Sequence, residues 1–249
     1  MIRRLSQSWL ALAGLFVLAA ALGAGILLAV QALVPGAPGG DRAQIEAVVH
    51  DYVLDHPELI PQAMQRLQDR ETGKVIAANR GAIFTPVASA WTGNPKGDVT
   101  LVEYFDYNCG FCRASLPTIA ALVKADPNVR IVFRELPVLS EESGVAARWS
   151  LAAAKAGKFN AFHEALYAGG PITEASLAAA ARAAGLDPAA IAKAAQAPGI
   201  EDDIRTNLAM AGQLGVSGTP AWVIGDRVHS GALTLEQMQD AVAAARKRG

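Results

Sequence analysis

The stretch YFDYNCGFCRASLP, residues 104–117, contains both cysteines of this 249-residue chain, separated by two residues. A β-rich run, VTLVEYFDY, leads into it, and a helical pattern follows as far as about Ala125. Two cysteines at the start of a helix lie about one turn apart on the same side, so they can form a disulfide or exchange one with another protein. The free N–H groups at the helix start favour the thiolate of Cys109. We therefore predict Cys109 as the nucleophile and Cys112 as the thiol that resolves the mixed disulfide.

Two other uses of the cysteine pair compete with redox chemistry. A structural metal site needs about four ligands. The chain offers two cysteines and four scattered histidines: His50, His56, His163 and His229. A purely structural disulfide would close a loop too short to add much stability. Redox activity is therefore favoured, no metal site is predicted, and no histidine is assigned a catalytic role; His163 is interpreted as a packed helical residue.

Composition limits the classes of partner. The chain is 52% hydrophobic, enough to bury one large core and a smaller accessory element. Its formal net charge is −1 at pH 7, so there is no excess of Lys and Arg to neutralise phosphates. We therefore expect no nucleic-acid partner.

The N-terminal segment is apolar from Trp9 to Val34 and carries no charge there, which is long enough to cross about 30 Å of hydrocarbon. A cleaved signal peptide is the alternative, because Arg3 and Arg4 form a positive n-region and Val30-Gln31-Ala32 resembles a cleavage site. A signal h-region is normally only about 7 to 15 residues, so an uncleaved anchor is favoured. Both alternatives export the chain after Gly36, into a compartment where thiols can be oxidised.

Four segments are predicted along the chain. They are an anchor or signal segment over residues 1–35, a linker over 36–40, a helical extension over 41–84, and a main α/β domain over 85–249 with a helical insertion at about 141–214. The extension has one helix capped by Asp41 and a second that begins at Asp55 and ends at Gly73. Their apolar faces predict either packing on the main domain or association with other copies of the chain.

The main domain has the order strand, CGFC helix, strand, helical stretch, SGTP, hairpin and final helix. This order resembles the thioredoxin-like fold, and the long helical insertion resembles the DsbA-like family of exported thiol-disulfide oxidoreductases. The motifs GNPKGDVTLVEYFDYNCGFC, FRELPVL and GTPAWVIG carry this resemblance, which covers about Asn94 to Gly249. The preceding IEAVVHDYVLDHPELI is similar to the N-terminal extension of the ScsC and Com1-like branch.

The resemblance implies roles for residues around the cysteines. Cys109 would attack and Cys112 would resolve, with Gly110 and Phe111 as the active-site dipeptide. Thr219 and Pro220 would form a cis peptide that faces the disulfide and contacts clients, whereas the residues alone would also allow an ordinary trans turn.

Glu103 falls where such folds keep a buried acid beneath the active site. Two interpretations are open: a proton relay to Cys112, or a buried acid satisfied by a partner such as Arg134. Phe111, between the cysteines, is the aromatic residue expected to be exposed to clients.

The sequence departs from the family's strongest oxidants, because no histidine lies between the cysteines and Thr219 replaces valine. These departures favour a disulfide isomerase or reductase; a DsbA-type dithiol oxidase and a copper-handling or chaperone-like binding module are the alternatives. We expect no cofactor besides the cysteine disulfide. The expected partners are cysteine-containing clients, a membrane redox partner, the membrane itself and further copies of the chain, with a trimer favoured over a dimer. The expected location is the periplasmic side of the inner membrane, or the soluble periplasm if the signal is cleaved.

Overall fold

The computed structural model describes residues 3–33 and 42–248, which fall into two units, Met1–Met64 and Gln65–Gly249. The linker predicted over residues 36–40 and the cap predicted at Asp41 lie outside the described residues.

The first unit is helical throughout its described part. It contains α1 (Arg3–Leu33), α2 (Arg42–Asp55) and the beginning of α3 (Leu59–Ala78). Within α1, Leu12–Val30 is long and apolar enough to cross a membrane. An uncleaved anchor and a signal segment both meet this description. None of the residues of α2 is buried.

The second unit contains a five-stranded sheet with helices on both faces. The strands are β1 (Trp91–Gly93), β2 (Val99–Phe105), β3 (Val129–Glu135), β4 (Ala221–Ile224) and β5 (Arg227–Ser230). Besides the end of α3, the helices are α4 (Arg80–Phe84), α5 (Gly110–Ala125), α6 (Glu141–Lys155), α7 (Phe159–Ala168), α8 (Glu174–Ala183), α9 (Pro188–Ala194), α10 (Pro198–Gln213) and α11 (Leu235–Arg248).

The strands lie in the order β1-β3-β2-β4-β5. Strands β2 and β3 are parallel, and α5 supplies the crossover that a parallel pair requires. The other neighbouring pairs are antiparallel, and β4 and β5 are joined by a two-residue turn in which Gly225 has φ 65°. The thioredoxin-like α/β fold predicted from the sequence is confirmed.

Both faces of the sheet are covered, as the nearly continuous burial of β2 and β3 requires. Alternate side chains of a strand point to opposite faces. Phe105 and Phe133 therefore pack with the helices α5, α6 and α7, whereas Tyr104 and Val132 pack on the other face with α10.

The structure places residues 65–84 differently from the extension predicted from the sequence. Helix α3 does not end at Gly73 but continues to Ala78. At Gly73 the helix lies against the β4–β5 turn, where a Cβ would be in ordinary contact with the carbonyl oxygen of Asp226 at 3.4 Å. Ile76 and Ile83 are buried in the core on the α10 face of the sheet.

Candidate active site

Cys109 lies at the N-cap of α5, in extended backbone with φ −82° and ψ 113°. Its sulfur accepts a hydrogen bond from the backbone N–H of Cys112 at 3.4 Å. Cys109 is 7% exposed and Cys112 is 1% exposed, and both are thiols in this structure. One N–H group of the first helical turn therefore points to the sulfur that is nearer to solvent, at the end of the helix where backbone N–H groups favour negative charge.

The loop before β4 faces Cys109. The peptide bond between Thr219 and Pro220 is cis. The Cys109 thiol donates a hydrogen bond to the carbonyl oxygen of Thr219 at 3.2 Å. The carbonyl oxygen of Pro220 accepts a hydrogen bond from Gly231 at 2.8 Å, which ties this loop to the end of β5. The structure thus brings together the two segments that the sequence places 110 residues apart.

Glu103 lies on β2, is 1% exposed and has its Oε1 atom buried without a hydrogen-bond partner among the described residues. Burial raises the pKa of its carboxyl well above the usual value, and negative charge on Cys109 raises it further. The interpretation of Glu103 as an acid satisfied by Arg134 is wrong. Glu103 pairs with Phe133 in the sheet, and Tyr104 pairs with Arg134, so the two side chains point to opposite faces.

Arg134 instead stabilises the segment that contains α4. Its guanidinium donates hydrogen bonds to the backbone carbonyl oxygens of Ala82, Ile83 and Thr85. The side-chain oxygen of Asn207 is a fourth acceptor, at 3.4 Å.

Cys112 occupies a different environment from Cys109. Burial raises the pKa of the Cys112 thiol well above its usual value, and negative charge on Glu103 raises it further. Cys112 therefore keeps its proton in the resting protein. It has to pass this proton to a base before it can act as a nucleophile.

Asp106 is a residue of the site that the sequence patterns did not single out. It is 1% exposed, and its carbonyl oxygen accepts hydrogen bonds from the backbone N–H of Cys109 and the hydroxyl of Tyr167, both at 3.0 Å. Its side chain accepts a hydrogen bond from the N–H of Asn108 at 2.7 Å, which is the local turn that Asp commonly forms. The sequence signal was the DYN turn before the first cysteine.

A buried polar cluster lies behind the active site. The hydroxyl of Tyr107 donates to Ser150 at 2.9 Å and lies 3.0 Å from Nδ1 of His163. Burial lowers the pKa of His163 to about 3, so its imidazole is neutral at physiological pH. His163 also packs against the ring of Phe159 at a centroid distance of 4.9 Å, in agreement with its interpretation as a packed helical residue.

An apolar surface is exposed next to the cysteines. Phe111 is 70% exposed, Val138 is 49% exposed and Leu139 is 52% exposed. Val138 and Leu139 follow β3, and the hydroxyl of the adjacent Ser140 accepts a hydrogen bond from the side chain of Asn108 at 2.7 Å. This surface therefore continues from the turn before Cys109.

Within the described part of the chain, no group of three or more His, Cys, Asp or Glu side chains is arranged to hold a metal ion.

Comparison with known families gives two matches. Residues 100–243 match the DSBA-like thioredoxin domain, and residues 41–72 match the copper resistance protein ScsC N-terminal domain. Together they cover most of the chain outside α1.

Several solved structures are similar. A thioredoxin-like oxidoreductase from Silicibacter pomeroyi is 45% identical, with a TM-score of 0.65, and the match covers 68% of this chain and 98% of that chain. The thiol-disulfide exchange protein alpha-DsbA2 from Wolbachia pipientis is 28% identical, with a TM-score of 0.66, over 72% of this chain and 97% of that chain. The catalytic domain of Proteus mirabilis ScsC is 26% identical, with a TM-score of 0.63, over 70% of this chain and 97% of that chain.

Among curated proteins, the Na(+)/H(+) antiporter NhaA 1 of Salinispora arenicola is 31% identical over 160 residues, which is 61% of this chain. The chain spans 24% of the length of that relative, about a quarter.

Proposed function

Because the chain belongs to the DSBA-like thioredoxin domain family, on its ScsC branch, we propose that it exchanges disulfides with client proteins through Cys109 and Cys112. The observation that carries this proposal is the position of Cys109, at the N-cap of α5 and in contact with the Thr219 carbonyl oxygen. DsbA-like proteins use a redox-active disulfide for this chemistry instead of a bound cofactor.

The reaction proceeds in two balanced steps in the reducing direction. The Cys109 thiolate attacks one sulfur of a client disulfide, a mixed disulfide forms, and the other client sulfur leaves as a thiolate that takes up a proton. Cys112 then loses its proton and attacks the sulfur of Cys109, which releases the second client thiol. The client gains two electrons, and the Cys109–Cys112 pair becomes a disulfide. In isomerisation the Cys109–Cys112 disulfide does not form, because a client thiolate attacks the mixed disulfide and releases Cys109 as a thiolate.

Glu103 is assigned the role of proton acceptor for Cys112. Its carboxyl is buried on the same face of the sheet as Cys112, and negative charge on Glu103 raises the pKa of the Cys112 thiol. Because burial keeps Glu103 protonated in the resting protein, the carboxyl first has to lose its own proton to the leaving client thiolate or to water. Transfer of the Cys112 proton to the ionised carboxylate then avoids two negative charges in one buried site. Thr219 and Pro220 are assigned to client binding, because free backbone groups next to a proline can pair with an extended client segment.

The direction that we propose is isomerase or reductase. Phe111 occupies the position in which strong oxidants have histidine, so no imidazolium stabilises the thiolate form of Cys109. Dithiol oxidation is the second candidate, since the same two steps run in reverse oxidise a client. A copper-handling or chaperone-like module is the third, motivated by the match of residues 41–72 to a copper resistance protein domain.

We place the catalytic unit outside the cytoplasm. A similar protein from Salmonella enterica is described as periplasmic, at 31% identity and a TM-score of 0.58. Helix α1 would anchor the chain in the inner membrane, and a membrane protein would return the cysteine pair to its dithiol form. The helices of the first unit would assemble copies of the chain into a homo-oligomer.

The test of disulfide exchange is a trapping experiment with the single-cysteine variants. Cys112→Ser should accumulate client mixed disulfides through Cys109, because the resolving thiol is missing. Cys109→Ser should accumulate none. Non-reducing electrophoresis followed by mass spectrometry identifies the cysteine in each adduct. Adducts through Cys112 would reverse the assignment, and no adducts from either variant would favour the binding module.

The direction is tested by the equilibrium reduction potential of the cysteine pair in a glutathione buffer, together with turnover of a scrambled disulfide substrate. An isomerase or reductase should recover activity from the scrambled substrate over many turnovers. A potential close to that of a strong oxidant, about −120 mV, with no recovery would favour the oxidase.

A further inference from the structure

Asp106 is a buried carboxylate that the exchange steps do not use. Four donors converge on its side chain: Oδ1 accepts from the N–H of Asn108 at 2.7 Å and from the Ser143 hydroxyl at 2.6 Å, and Oδ2 accepts from the N–H groups of Val138 at 2.9 Å and Leu139 at 3.0 Å. A carboxylate has about four lone-pair positions, so its accepting capacity is filled.

These donors belong to three separate segments of the chain. Asn108 lies in the turn before Cys109, residues 138–140 form the loop after β3, and Ser143 lies in the first turn of α6. Both N–H groups of the 138–140 loop that bind Asp106 share one oxygen atom, Oδ2. Asp106 therefore joins the turn before the nucleophile to this loop, beside the hydrogen bond that the Asn108 side chain donates to the Ser140 hydroxyl at 2.7 Å.

The 138–140 loop presents an apolar surface to solvent. The side chains of Val138 and Leu139 are about half exposed, while their N–H groups point inward to Asp106. An apolar segment of a client that covers these side chains would lie at a position set by Asp106.

Helix α5 itself begins without help from this carboxylate. Its start is held by the N–H of Cys109, which donates to the carbonyl oxygen of Asp106 at 3.0 Å, and by the cap between Cys112 and Cys109. Loss of the side-chain acceptors therefore frees the N–H groups of Val138 and Leu139 and loosens the loop at these residues, while the Asn108–Ser140 hydrogen bond and both bonds at the cysteines can persist.

We propose that Asp106 is a positioning residue, which holds the 138–140 loop at a fixed distance from Cys109 so that a client lying on the loop presents its disulfide to the sulfur. This inference rests on the proposed function and adds the class of substrate, which is a disulfide flanked by an exposed apolar segment. A misplacement of about 1 Å can cost roughly a hundredfold in rate, so the effect on a client is large. A small disulfide that does not contact the loop has no such requirement.

The test compares two substrates of the full-length reduced protein: a scrambled client protein and glutathione disulfide. Asp106→Asn places an amide donor where four donors converge, so it loses acceptors without a change in size. We expect kcat/KM for the client to fall at least about tenfold and the rate with glutathione disulfide to stay within about twofold. Hydrogen exchange should become faster at the amides of Val138 and Leu139.

Asp187→Asn is the matched control, because Asp187 caps α9 by accepting from the N–H of Ala190 at 3.0 Å and does not contact the loop. Asparagine keeps an oxygen that can cap α9, so this change removes a carboxylate charge away from the loop and should leave both rates unchanged. All rates are measured at a temperature at which circular dichroism shows each variant to be folded.

If Asp106→Asn does not fold, Ser143→Ala replaces it in the same test. It removes one of the four hydrogen bonds and should reduce the client rate alone, by roughly threefold. Equal losses with both substrates, or no loss with either, would overturn the positioning role. A wild-type protein that exchanges with neither substrate would overturn the proposed function, and this inference with it.

Discussion

The charge on the buried acid Glu103 affects the ionisation of the buried thiol of Cys112. Burial keeps both Glu103 and Cys112 protonated in the resting protein, and negative charge on Glu103 further opposes ionisation of Cys112. The sulfur of Cys109 lies in different surroundings, because it accepts a hydrogen bond from the backbone N–H of Cys112 at the start of α5 and contacts the Thr219 carbonyl oxygen. Under the proposed function, these two environments assign attack to Cys109 and resolution to Cys112.

Glu103→Gln should make the protein more resistant to unfolding as the pH rises. The pKa of the Glu103 carboxyl is raised in the folded state, whereas an unfolded glutamate has a pKa of about 4.3. The folded protein therefore retains a proton that the unfolded chain loses above pH ~4.3, and stability falls as the pH rises from there through the folded pKa. Glutamine does not ionise, so its stability has no such pH dependence. The Tm of the variant minus the Tm of the wild type should therefore increase from about pH 5 to pH 8.

Glu135→Gln is the control for this prediction. Glu135 is buried on the same face of the sheet, and burial also raises the pKa of its carboxyl, but no exchange role is assigned to it. Its substitution should give a similar pH dependence of Tm without slowing resolution of the mixed disulfide, which Glu103→Gln should slow. A Tm difference for Glu103→Gln that is the same at every pH would contradict the buried, protonated carboxyl.

At the scale of the elements, the sequence predicts those parts of the fold that depend on local pattern. The sequence predicts strands β2 and β3 from their apolar runs, and it predicts the helix after the cysteines and the Gly225-Asp226 turn. Each of these elements depends on neighbouring residues. Strand β1 could not be predicted from the sequence, since its three residues lie in a turn-rich segment and become a strand only by pairing with β3.

The hydrogen-bond partners of Arg134 could not be predicted from the sequence either. The face to which a strand residue points depends on the register, and one residue separates the face of Glu103 from that of Arg134 in the pairing of β2 with β3. The backbone carbonyl oxygens that Arg134 binds lie about 50 positions earlier, in a segment whose contact with the sheet no local pattern indicates.

Arg134→Leu should destabilise the second unit by about 3 kcal/mol, because it leaves backbone carbonyl oxygens of the α4 segment without their donor. Urea unfolding measures the loss, and hydrogen exchange should show faster exchange over residues 80–85. Arg205→Leu is the control: the Arg205 side chain is 70% exposed and pairs only with Asp202, so the change should be within about 0.5 kcal/mol. Equal effects of the two substitutions would contradict the structural role of Arg134.

At the scale of the whole molecule, the prediction concerns α1 and the location of the protein. Leu12–Val30 exceeds the length of an ordinary signal h-region, about 7 to 15 residues. We therefore expect the full-length protein to sediment with membranes and to keep its N-terminal residues. Intact-mass measurement of the mature protein is the check. A mature chain that begins near Leu33 would show cleavage and a soluble exported enzyme.

Helices α2 and α3 are relevant to whether the protein isomerises or oxidises its clients. Ile45, Val48 and Tyr52 on α2 are more than half exposed, and so are Ile60 and Met64 on α3. These side chains expose apolar surface whose burial between copies would stabilise an assembly. An isomerase must hold a misfolded client while disulfides rearrange. An oligomer with several Cys109 sites extends that contact without any change in the chemistry of one site.

We therefore predict that residues 41–249 form a homo-oligomer, a trimer in preference to a dimer, and that residues 65–249 form a folded monomer. A chain that starts at about Thr85, the boundary indicated by the sequence, would lack Ile76 and Ile83 and would lose two carbonyl acceptors of Arg134, those of Ala82 and Ile83. The start at Gln65 keeps these contacts.

Light scattering at roughly tens of micromolar should separate the two states, and both chains should reduce a small disulfide equally well because Cys109 keeps its surroundings in each. The monomer should isomerise a scrambled substrate more slowly per active site, since a client released from one Cys109 no longer meets a second at high local concentration. If residues 41–249 were monomeric at this concentration, the assembly would be refuted. If both chains isomerised equally fast, the oligomer would exist for a reason other than client retention.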